Sequence, residues 1–289
     1  MDYFLLSVTV LFSVIASALT RVFSRDNKGL SDYMFNALGC VMWIFVLLPG
    51  ILTSSDISFG KYSIIYGVIY GVLLFLYLFS NCRAVEVGSY TLTRVMACPA
   101  FIVATLFGVF YCGEGISTNQ IIGMILICVS LLLCVNPKFG GEKLTGKWFA
   151  YSFLHFAANG LIGVVYKLFG TVCEENGYDA MLITAAITAV LLYSVFVAFD
   201  AVKNGKRIVM PKGKIALLTV LTGVFTCLSI RINIYLSNVI PSAVFFPVSN
   251  CAIIVLSTLT GMSLFREKLS KIQISGIFLG LISILISSI

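Results

Sequence analysis

Charge is scarce in this sequence. Lys, Arg, Asp and Glu together make up 11% of the 289 residues, where a soluble domain has roughly 25%. Hydrophobic residues make up 60%, and the mean hydropathy is +1.05. Such a chain cannot cover itself with polar surface, so an ordinary water-soluble domain is excluded and lipid is the expected solvent. Histidine is scarcer still: His155 stands alone, which excludes multi-histidine metal centres. Nine cysteines are present, none in a C-x-x-C pair and most inside apolar runs. They read as small packing residues, and no metal site is expected. Neither G-x-S-x-G nor H-E-x-x-H occurs, and no glycine-rich phosphate loop is present. An enzyme is therefore not expected, no cofactor is called for, and ATP-driven pumping has no signature. The net charge of +7 lies on no basic face free of the apolar runs, which argues against nucleic acid.

What is present is a series of apolar runs of the length a helix needs to cross hydrocarbon. They predict an all-α membrane protein with about ten transmembrane helices, at 3–23, 31–53, 61–82, 89–112, 118–135, 147–171, 179–201, 213–238, 241–264 and 271–288. Barrel strands would alternate over about ten residues instead. The first run has Asp2 before it and Arg21 and Arg25 at its end. A secretory signal has the reverse pattern, so a retained span is expected. With ten spans, the loops after odd-numbered spans collect fifteen Lys and Arg, among them Lys28, Lys138, Lys143, Lys206, Arg207 and Lys268. The other face has Lys61 and Lys167. That bias puts the basic loops in the cytoplasm and both termini outside.

The chain also repeats itself. Sliding it by 153 residues aligns Val87–Val135 with Ile240–Ser288, and 14 of 49 pairs are identical. The polar matches carry the weight: Ser89/Ser242, Glu114/Glu267, Ser117/Ser270 and Gln120/Gln273, joined by Cys98/Cys251, Gly108/Gly261 and Gly123/Gly276. More faintly, Arg21-Val22-Phe23 matches Lys167-Leu168-Phe169. Two five-helix repeats, 1–137 and 138–289, are expected within one membrane unit. Five is odd, so the second copy runs with inverted topology, a recurrent design for alternating access. The twice-repeated pattern from Glu114 to Gly123 and from Glu267 to Gly276 resembles the EamA-type repeat of the drug/metabolite transporter superfamily. That resemblance implies a 5+5 inverted repeat, a central cavity and movement of metabolites, amino acids, sugars or toxic compounds, by analogy in a bacterial plasma membrane.

Polar residues inside the runs are the candidate site, because each is costly in lipid. Arg94 shares a helical face with Tyr90, Thr91 and Cys98, and could hold a carboxylate or phosphate by two parallel hydrogen bonds. Its nearest acid in sequence is Glu86. Arg231 lies in the eighth run with no carboxylate inside that run, and is expected to serve the same path or to snorkel outward. His155 and Asn159 share a face, as do Tyr77 and Asn81. His155 could titrate or be satisfied by a neighbouring helix. Of Tyr66, Tyr70 and Tyr77, only Tyr77 is placed for a cavity. Asn250 follows Pro247, and Pro99 interrupts the fourth run; such prolines free backbone groups beside binding sites or serve packing. Glu114 and Glu267 could carry protons, but their place at helix ends beside loops reads rather as a helix-start cap or a loop anchor. Gly67/Gly71, Gly160/Gly163 and Gly276/Gly280 read as helix contacts.

The expected function is secondary transport of a small-molecule substrate bearing a carboxylate or phosphate, within membrane lipid. A coupling proton, an exchanged solute and a second copy of the chain are candidate partners. Export of cationic or aromatic drugs, lipid-linked sugar flipping, and a non-transport receptor or assembly role are the alternatives.

Overall fold

In the computed structural model the described residues are 2–26, 30–53, 59–97, 99–134, 145–172, 177–204, 210–267 and 269–288. Cys98 and the loop cations Lys28, Lys138, Lys143, Lys206, Arg207 and Lys268 lie outside them. Among the described residues the regular structure is helical throughout. The helices are α1 Asp2–Asp26, α2 Asp32–Thr53, α3 Lys61–Val87, α4 Tyr90–Ala97, α5 Ala100–Cys112 and α6 Thr118–Cys134, then α7 Gly146–Val172, α8 Tyr178–Asn204, α9 Gly213–Val239, α10 Ser242–Leu264 and α11 Lys271–Ser288.

Seven of them, α1, α2, α3, α7, α8, α9 and α10, are long and apolar enough to cross a membrane. Shorter apolar stretches lie in α5, α6 and α11. Their outward faces carry bare apolar side chains, such as Phe110 at 84% exposure, Leu191 at 63% and Phe278 at 63%. Soluble proteins do not tolerate so much contiguous apolar surface. The chain is an integral membrane protein.

The expected fourth run is not one helix. It divides into α4 and α5 around Pro99, the residue before α5, which has no N–H to continue the ladder. Pro247 in the second half, which aligns with Arg94 rather than with Pro99, sits inside an unbroken α10.

Packing follows a paired scheme. α3 lies against α7 and α8, while α9 lies against α1 and α2; α2 meets α8, and α6 meets α11. Glycines set the closest crossings. A Cβ at Gly67 would stand 2.6 Å from Thr184 Cβ on α8, and one at Gly223 of α9 would stand 2.9 Å from Gly39 Cα on α2. Gly163 meets Ala104 of α5, and Gly280 meets Ser130 of α6. The helix-contact reading of these glycines holds, because only a missing Cβ lets the backbones approach this closely.

The repeated polar residues form two matched joints. After α5, Gly113 turns the chain with φ +70°, and Glu114 N–H donates to Gly108 O (3.1 Å). After α10, Arg266 does the same with φ +53°, and Glu267 N–H donates to Gly261 O (3.0 Å). Each glutamate then reaches across to the other half of the chain. Glu267 accepts from Ser89 Oγ and from the N–H groups of Tyr90 and Thr91, at 2.9–3.1 Å, capping α4. Glu114 accepts from the Ser242 N–H at the start of α10 (3.1 Å) and from Lys167 Nζ (2.8 Å). Helix N-termini attract such carboxylates. Burial raises the Glu114 pKa, but the Lys167 and Ser242 hydrogen bonds outweigh it and hold the carboxyl below its ordinary value. A Cβ at Gly108 would stand 2.9 Å from a Glu114 carboxylate oxygen, and one at Gly261 would collide with Thr91 Oγ1 and stand 3.0 Å from a Glu267 carboxylate oxygen. Ser117/Gln120 and Ser270/Gln273 are reciprocal capping boxes starting α6 and α11.

Candidate functional site

Between the helices lies a cavity of about 130 Å³. Its wall is organised by α3. Tyr77 and Asn81 lie one turn apart there and so share a face. Tyr77 O is 3.1 Å from His155 Nδ1 on α7, and the two rings stack with centroids 4.5 Å apart. Asn81 Oδ1 accepts from Arg94 Nη2 at 2.7 Å. The short helix α4 carries Arg94, and is itself held by the Glu267 cap and by Trp148 Nε1 donating to Thr93 Oγ1 (3.0 Å). Arg94 is buried, and its Nε finds no hydrogen-bond acceptor among the described residues. His155 Nε2 is likewise buried and unpaired. Arg94 is the one Lys, Arg, Asp or Glu among the residues lining the cavity.

Six of the eight expected site residues meet here: Tyr77, Asn81, Arg94, His155, Asn159 and Asn250. Asn250 spends its Nδ2 locally, donating to Phe246 O at 2.8 Å. The Pro247 side chain lies outside the described features. Two residues do not belong. Tyr90 is fully buried but turns edge-on to Phe265, centroids 5.3 Å apart, because its N–H is tied to the Glu267 cap and its ring lies under the joint. Arg231 makes a bidentate ion pair with Asp179 on α8 (2.8 and 2.9 Å) and leaves 52% of its side chain exposed. The acid that neutralises it comes from the first turn of another helix, which a search along its own span does not reach. Glu86 does not meet Arg94 either; it pairs with Arg83 at 2.9 Å. Tyr70 also lines the cavity, its hydroxyl 3.1 Å from that of Tyr166.

The opposite wall was missed. It comes from Ser13, Ser17 and Thr20 of α1, Asn36 of α2, and Thr222, Thr226, Ser229 and Asn233 of α9. The α9 set recurs at intervals of four, three and four residues, one face of a helix. That hydroxyl and amide stripe was the available signal, hidden because none of its members is ionisable. It is knitted to α1: Thr9 Oγ1 lies 2.9 Å from Ser229 O and 3.0 Å from Asn233 Oδ1, and Ser13 Oγ lies 2.6 Å from Ser229 Oγ. The Asn36 Nδ2 and Thr222 Oγ1 groups on this wall are buried without partners among the described residues. No group of three His, Cys, Asp or Glu side chains able to hold a metal occurs among those residues.

These features define an integral membrane protein with a polar cavity inside an apolar helical bundle. No protein-family model matches the chain, and no curated protein matches it. A solved structure, described only as the crystal structure of a protein, superposes with a TM-score of 0.65 at 17% identity, covering 97% of this chain and 98% of that one. At that identity the likeness is one of fold.

Proposed function

We propose that the protein is a secondary transporter that moves a small carboxylate- or phosphate-bearing metabolite by alternating access through the central cavity. The observation that carries this reading is Arg94. A buried guanidinium lines the cavity with one N–H unpaired, and no acid lines the wall to balance it. A buried cation without a counter-charge is expensive, and a bound anion would supply the charge and the missing acceptor together. In this reading α4 and α5 cross as one broken span. With α6, α11 and the seven long helices they make ten spans. The matched glutamate joints and the exchange of packing partners between α3 and α9 support two inverted five-helix repeats, and with them a place in the drug/metabolite transporter superfamily. Both termini face outward from a bacterial plasma membrane.

The test is thermal stabilisation of the purified protein by amino acids, organic acids, phosphorylated metabolites and quaternary amines, since a ligand of the folded state raises the melting temperature. Acids should stabilise, and Arg94→Ala should abolish the shift. Arg94→Lys keeps the charge but loses the planar fork, and should weaken binding about tenfold or more. Stabilisation by amines alone would replace this reading with export of cationic drugs.

A further inference from the structure

His155 has a fixed polarity. Its Nδ1 faces Tyr77 O at 3.1 Å, and a backbone carbonyl only accepts, so Nδ1 carries the hydrogen. Among the described residues no Asp or Glu lines the cavity, so none of them balances a second cation beside Arg94 and the imidazole is neutral. Nε2 is then a bare lone pair, wholly buried and without a donor among the described residues. The ring cannot turn away from this role, since it stacks on Tyr77 and is anchored by the same residue's carbonyl. One turn further along α3, Asn81 holds Arg94, whose Nε–H is also unpaired. The cavity wall around α3 thus holds one unpaired donor that is cationic and one unpaired acceptor that is neutral. An anion alone satisfies the first and leaves the second unmade, and a buried acceptor left unmade is penalised.

We propose that His155 Nε2 is a specificity-determining acceptor, and that the substrate is an acid carrying an O–H or N–H donor close to its anionic group, as in a hydroxy acid or an amino acid. The inference rests on the anion reading of Arg94 and goes further, by dividing acids with a donor from acids without one. Transport of plain carboxylates is selected against because they strand the imidazole.

The experiment compares acids that differ only in one hydroxyl, propionate against L-lactate and succinate against L-malate, with L-alanine as a probe whose donor also carries a charge, each titrated against the melting temperature of the purified protein. Lactate, alanine and malate should bind about tenfold or more tightly than their plain counterparts. His155→Asn keeps an amide N–H for Tyr77 O but removes the acceptor at Nε2, so it should bring the paired acids within about twofold of each other. His155→Gln places an amide where Nε2 stood and should restore part of the preference, which a purely structural role for His155 would not do. Equal binding of lactate and propionate by the wild type overturns the proposal and leaves the anion reading standing. A preference that persists in His155→Asn assigns the acceptor to another residue and also overturns it. Failure of every acid to stabilise the protein overturns the anion reading itself.

Discussion

At the level of single residues, charge is either neutralised across helices or left facing the cavity, and the two arginines flagged by sequence separate on this point. Arg231 and Arg94 look alike along the chain, each one cation in an apolar run. In space one is paired with the Asp179 carboxylate, while the other bonds the neutral Asn81 and lies 6.0 Å from the centre of the Tyr90 ring. Arg231→Ala should therefore leave ligand-induced stabilisation unchanged. The guanidinium is half exposed but its partner Asp179 is buried, so the variant strands a carboxylate and should lose about 1–3 kcal/mol of folding stability. A collapse of ligand binding in that variant would return Arg231 to the site. Glu114 provides a pH signature. Its folded pKa is held below the ordinary 4.5, so its ionised form favours folding. That contribution is complete above pH 4.5 and is lost as pH falls through the folded value. Melting temperatures of the wild type and Glu114→Gln should run parallel near neutral pH and converge in the acid range below 4.5. Parallel curves down to the lowest pH would detach the Lys167 pair from stability. The residues that were legible in advance were those whose burial is anomalous by type: Arg94, His155, Asn81 and Asn159. Ser13, Thr222 and Ser229 were not, since a lone hydroxyl in a lipid-embedded helix can satisfy itself on its own backbone and so raises no alarm.

At the level of elements, apolar run length predicted helices well and helix breaks poorly. Spans and helices agree within a few residues because the hydrocarbon thickness dictates both. The fourth span is the exception. Each of the two matched runs carries a proline, at positions that do not align, and Pro99 parts α4 from α5 while Pro247 leaves α10 whole. A proline removes a donor wherever it stands, but whether the helix separates depends on what else can anchor the two pieces. Here α4 has its own anchors: the Glu267 cap at its start, the Trp148 bond to Thr93 and the Arg94 bond to Asn81. Those partners are remote in sequence, which is why the break could not be located from the run itself. Glu267→Gln keeps a hydrogen-bonding side chain but removes the charge at the α4 N-terminus, and should lower stability by about 0.5–1 kcal/mol. Because α4 positions Arg94, the same variant should also weaken binding of acids, measured in the same titration. Loss of stability with undiminished affinity would show that α4 holds its place without the cap.

At the level of the whole molecule, the repeat seen in sequence acquires a physical meaning. The identities concentrate at Gly108/Gly261, Glu114/Glu267, Ser89/Ser242 and the two capping boxes. These are the groups that end one helix, start the next, and tie each half to the other. Apolar positions between them drift because lipid and core accept many side chains of similar volume, while a carboxylate on a helix N-terminus accepts few substitutes. If the halves are inverted, the Glu114 and Glu267 joints lie on opposite sides of the membrane, and the loop after α5 faces away from the start of α9. Gly115 has open space where a Cβ would stand, so Gly115→Cys should fold as the parent does. In intact cells a membrane-impermeant maleimide should label Gly115→Cys above the native-cysteine background. Lys212→Cys, just before α9, should react only after the cells are lysed. Reversed labelling would turn α6, α7 and α8 over in the membrane. Labelling of both from one side would mean that one of α6, α7 and α8, which lie between the two sites, does not cross. The halves would then not be inverted copies, and the alternating-access argument built on them would lose its foundation.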